Sequence, residues 1–141
     1  EVAARRQAEA EARNASRQLP ESLSTARRVR LWGRADPNLD LVQYGEGWAR
    51  KIQLNTLPDV VREIAKRPHA NPVVTVAIRS DGSVEKVTFE VSSGVPEVDE
   101  AVRRIIESHA NYPAFPAALA GDYDVVEIRR TWNFRGTLQL Y

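Results

Sequence analysis

The 141-residue chain contains no cysteine and no methionine. Without cysteine there can be no disulfide, thiolate metal site or cysteine nucleophile, although the compartment stays open. No run of 18 apolar residues occurs, and no leader-like apolar stretch opens the chain. The start at Glu1 without methionine reads as a processed or excised piece, with any membrane anchor of its parent expected outside it. Histidine is scarce, limited to His69 in a proline-rich stretch and His109 at the expected end of a helix. A histidine in a helix's last turn is most often a dipole partner. No HExxH, GxSxG, Walker or GxGxxG pattern is present. Ser92-Ser93 has no base at an inferable distance, and the acidic pairs Asp99/Glu100 and Asp122/Asp124 fit capping or solvated roles. The expectation is therefore a protein that is not an enzyme and holds no cofactor or metal.

The net charge is only +1, but it is unevenly spread. Residues 1–35 carry eight arginines against four glutamates, a net of +4, which leaves −3 for the rest. A mildly acidic body does not read as a nucleic-acid binder. Hydrophobic residues at 43% allow one folded domain with an appended segment. Residues 1–18, almost all Ala, Arg, Glu and Gln, favour helix yet offer no apolar stripe to bury. They read as a solvated helix, a frayed tail or the end of a spacer. Residues 20–37 read as an irregular linker bearing the basic patch RRVRLWGR, with Trp32 packing back onto the domain. The expected division is thus a spacer end and linker over 1–37 and a folded domain over 38–141.

Within that domain, Leu41, Tyr44, Trp48 and Ile52 recur at helical spacing. Gly45 and Gly47 interrupt this helix, each costing about 1 kcal/mol relative to alanine, so it must dock its aromatic face to form. A further short helix is expected after Pro58. Val73–Arg79 and Val84–Val91 alternate apolar residues around Asp81-Gly82, a strong hairpin signal. Pro96 followed by acidic residues opens another helix, whose stripe of Val98, Ala101, Val102, Ile105 and Ile106 would cover the sheet. After the extended Tyr112–Pro116 crossing, residues 124–134 form a third strand with Val126, Ile128, Trp132 and Phe134 on one face. Arg130 falls in the same series, through either a bulge or a packed stem with its head in water. The fold class is α+β: a three-stranded antiparallel sheet in the order 2-1-3 with helices on one face, since antiparallel pairing suits a sheet covered on one side. The third strand is then an edge, unless residues 135–141 fold back on it.

The succession Asp81-Gly82-Ser83, Ser92-Ser93-Gly94, Val98-Asp99-Glu100-Ala101, Tyr112-Pro113 with Phe115-Pro116, and Trp132-Asn133-Phe134 resembles the C-terminal domain of TonB and its relatives. Trp48–Asn55 is similar to the helix that opens that domain. The resemblance implies the periplasmic end of a protein anchored in the inner membrane of a Gram-negative bacterium. An ExbB/ExbD-type motor would drive the parent, and the domain would bind the TonB box of an outer-membrane transporter such as a siderophore receptor. It also implies that the transporter segment adds as a strand to the last strand, here Val125, Val126, Glu127, Ile128, Arg129, Arg130, Thr131, Trp132, Asn133 and Phe134. A family contact before the sheet would fall on Leu57 and Pro58, with Gln53 nearby, although the family's glutamine-proline pattern is missing there. Homodimers by edge pairing are another family trait. Exposed strand edges do accept extended peptides through main-chain bonds. The alternatives are a TolA-type domain binding Tol–Pal envelope proteins, which residues 1–18 favour, and a basic-tailed nucleic-acid or membrane-surface binder.

Overall fold

The computed structural model describes residues 26–141 together with Arg6. The spacer expected over residues 1–18 lies, Arg6 apart, outside the described residues. Five strands and four helices follow in the order β1 (Arg28–Trp32), α1 (Leu39–Asn55), α2 (Pro58–Ala65), β2 (Val73–Arg79), β3 (Val84–Val91), α3 (Pro96–Ser108), α4 (Ala117–Ala120), β4 (Val125–Asn133) and β5 (Gln139–Leu140). Among the described residues no helix is long and apolar enough to cross a membrane.

The helices start where local chemistry permits. Asn38 caps α1 by accepting the Leu41 N–H at 3.2 Å. Proline occupies the opening positions of α2 and α3, where a missing N–H costs nothing. Leu41, Tyr44, Trp48 and Ile52 are all buried, so α1 does dock the face its spacing marks. In α3 the stripe of Val98, Val102, Ile105 and Ile106 is buried against the same core.

The expected pairing 2-1-3 is present as β3-β2-β4, antiparallel at both junctions. The sheet is nevertheless mixed and five-stranded rather than three-stranded and antiparallel. β1 lies parallel along β4, from Arg28 beside Val125 to Trp32 beside Arg129, and β5 pairs antiparallel with Trp132 and Asn133. Residues 28–32, expected in an irregular linker, are therefore part of the sheet. The physical reason is their short alternation: Leu31 is fully buried and Val29 half-buried, while Arg28, Arg30 and Trp32 turn to the uncovered face.

The register of β2 on β4 runs unbroken from Val73–Thr131 to Arg79–Val125, so no bulge re-aims Arg130. The bulges lie instead between β2 and β3, at Val73/Val74 and Ala77/Ile78. Arg130 stays in the inward series and is 1% exposed. Its head does not reach water: it meets Glu46 Oε1 at 3.3 Å and donates to the Leu140 carbonyl at 3.2 Å.

Candidate partner-binding site

From Val126 onward β4 alternates. Val126, Ile128, Arg130 and Trp132 enter the core, whereas Glu127, Arg129, Thr131 and Asn133 stay half-exposed. The backbone alternates too. The Trp132 N–H bonds to the Pro72 carbonyl at 2.9 Å on the β2 side, and Thr131 exchanges both its bonds with Tyr141 on the other side. The Arg129 carbonyl accepts from Gly33 N–H at 3.1 Å, next to β1. β1 and β5 thus sit in succession along the outer edge of β4. The expectation that β4 is an edge strand is corrected: each of its halves already has an outer neighbour. Residues 135–141 do fold back, covering Thr131–Asn133.

The uncovered face of the sheet is a lattice of charges. Arg28 pairs with Glu85 at 2.9 Å and Glu127 at 3.3 Å, and Arg30 pairs with Glu127 at 3.4 Å. Arg129 reaches Glu90 at 3.2 Å and donates to Thr75 Oγ1 at 2.9 Å. Trp32 lies 4.2 Å from the Arg129 guanidinium, a cation–π contact, yet remains 54% exposed. Ahead of β1, Arg27 grips Asp124 at 3.0 Å and the Gly121 carbonyl at 2.7 Å. That hydrogen-bonded arginine holds the Asp124 carboxyl below its usual range. Arg34 pairs with Glu46 at 3.0 Å. The arginines of the patch RRVRLWGR are therefore each matched to a carboxylate within the domain.

The remaining candidates separate. Gln53 Oε1 accepts the Leu140 N–H at 2.8 Å, so this side chain fastens β5 rather than standing free. It lines, with Arg34, Glu46, Arg50, Arg130 and Tyr141, a polar cleft of about 280 Å³. Leu57 is 68% exposed and adjoins Pro58 at the start of α2, with Leu54 and Val60 exposed nearby. His69 Nδ1 lies 2.6 Å from the Arg67 carbonyl and its ring packs on Phe134. Burial, aided by Lys51, lowers the His109 pKa. Among the described residues no cluster of three histidines or carboxylates is placed to hold a metal.

Residues 45–129 match the TonB C-terminal family. The chain belongs to that family. No curated protein and no solved structure gives a match. Domains of the TonB C-terminal family are protein-interaction modules that engage outer-membrane transporters. The matched span takes in α2, β2, β3, α3 and α4 whole and most of α1, and ends inside β4, whereas β1 and β5 lie outside it. Sequence reasoning missed β1 as a strand paired with β4. The alternation of Val29 and Leu31 with Arg28 and Arg30 was its available signal.

Proposed function

We propose that this is the periplasmic partner-binding domain of a TonB-type energy transducer. It couples the proton-motive force of the inner membrane to an outer-membrane transporter by taking the transporter's TonB box as a strand on β4, over Val125–Phe134. The observation that carries this reading, beside family membership, is that an extended segment already lies in parallel on that strand. The outer backbone groups of β4 therefore accept a strand added from outside the β2–β3–β4 core. Leu57 and Pro58 form an exposed apolar turn suited to a secondary contact. The parent would be anchored in the inner membrane and driven by an ExbB/ExbD-type motor.

The test is titration of the isotope-labelled domain with a synthetic TonB-box peptide. Selective amide shifts along Val125–Phe134 are expected. Shifts confined to other elements, or none, would contradict this reading.

A further inference from the structure

β1 is held with little apolar burial: of its five residues only Leu31 is buried. Leu31 seats against α1 at Gly45, where an added Cβ would stand 2.4 Å from Leu31 Cδ2. A glycine in the body of a helix is unfavourable, and here it opens the notch that receives Leu31. The grip also includes main-chain pairing, the half-buried Val29, the Arg129–Trp32 cation–π contact and the ion pairs Arg28–Glu85, Arg28–Glu127 and, facing solvent, Arg27–Asp124 and Arg30–Glu127. Such pairs each contribute little and weaken with salt. Strands with few buried apolar side chains open before the core does. β1 also lies outside the residues matched to the family.

We propose that β1 is a resident stand-in for the partner strand, so that a partner docks on β4 by displacing Arg28–Trp32. This rests on the reading of β4 as the docking strand. The incoming segment would run parallel to β4 in the register of β1. It would place an aliphatic side chain in the Leu31 seat at Gly45, a second apolar residue at the position of Val29, and a basic or neutral residue beside Glu127. An acidic residue at that last position would meet the Glu127 carboxylate. Exchange keeps the main-chain bonds of β4 satisfied throughout.

β3, the open edge at the opposite end of the sheet, is a poorer receiver. The outer strand β3 is irregular, with two register shifts against β2, and carries Glu85, Lys86 and Glu90. Bulges and charges of this kind protect an edge against strand addition. Because β1 holds the slot at rest, the apparent affinity for a partner is reduced by the fraction of molecules in which β1 is released.

The chain has no cysteine, so the pair Arg30→Cys with Glu127→Cys can lock β1 onto β4. These two residues are register partners on the uncovered face. The probe is an unlabelled synthetic peptide carrying a transporter's TonB box, titrated into the oxidised and reduced forms of the same protein. The expected result is binding by the reduced form, at least about tenfold weaker binding on oxidation, and recovery with reductant. Equal affinity in both forms would overturn the exchange while leaving partner binding intact. Binding by neither form, nor by the unsubstituted protein, would overturn the reading of β4 itself. A second variant, Leu31→Ala, empties the seat without touching β4. It should tighten peptide binding roughly tenfold, provided the β2–β3 amide resonances keep their folded positions. Unchanged affinity in that folded variant would also overturn the exchange.

Discussion

Gly82 turns the β2–β3 hairpin with a φ of 89°, and an added Cβ would lie 1.8 Å from the Tyr112 carbonyl oxygen. The same turn is stitched to the crossing segment, since Tyr112 N–H bonds to the Gly82 carbonyl and Phe115 N–H to that of Ser80, both at 2.9 Å. Gly82→Ala meets both the left-handed backbone penalty and a main-chain clash, so it should lower stability by more than about 1 kcal/mol in urea denaturation. Asp99 does a different task. Burial opposes its ionisation, but hydrogen bonds from Ser92 Oγ, Ser93 Oγ and Ser93 N–H outweigh that and keep its pKa below the usual carboxyl range. A depressed folded pKa stabilises the fold above the unfolded value of about 3.9, and that contribution is lost as pH falls through the folded value. The urea midpoint should therefore drop on acidification below roughly pH 4, and less steeply in Asp99→Asn than in the unsubstituted protein. Arg130 is the third such residue. Glu46→Gln would leave its buried guanidinium without a counter-charge and should cost about 2 kcal/mol, whereas adding Arg130→Met should recover much of that loss.

At the scale of elements, the hairpin, α1, α3 and β4 were legible because each carries its own periodicity and punctuation. Asp81-Gly82 marks the turn, Pro96 marks a helix start, and the alternation of Val126, Ile128 and Trp132 marks a strand. β1 was not legible in the same way. Five residues with a single buried side chain give a weak pattern, and its partner lies 97 residues away by the Arg27–Asp124 clamp, so pairing rests on distant chain. The same non-local dependence hid the covering of Thr131–Asn133 by the C-terminal segment, although the alternation of Leu138 and Leu140 hinted at it. Arg130 was read as a bulge or as a stem with its head in water, and the structure gives neither, because its carboxylate partner, Glu46, sits on a helix 84 residues earlier. Arg129→Pro tests the outer edge of β4 as an element. It removes the N–H of a residue whose carbonyl faces the β1 side, accepting from Gly33 N–H, where a partner strand would pair. Peptide binding should be abolished while the hairpin amides remain dispersed. Retained affinity in the folded variant would count against docking on this edge.

For the molecule as a whole, a common β2–β3–β4 core with α1 and α3 on one face is supplemented by two short outer strands that occupy the edge of β4. The helix-covered face supplies stability through a continuous apolar cluster that includes Trp48, Trp132 and Phe134. The uncovered face carries matched charges and the exposed Trp32. Family membership was visible in the motifs, and the β3-β2-β4 part of the sheet order in the succession of elements. The covering of the outer edge of β4 was not, since it depends on distant segments of the chain. The most direct measurement is a set of isotope-filtered nuclear Overhauser contacts between an unlabelled TonB-box peptide and the labelled domain. Contacts to Val125, Glu127 and Arg129, with loss of the contacts between Arg28–Trp32 and β4, are the predicted result. Contacts to Val84–Val91 on β3, with β1 still in place, would contradict it.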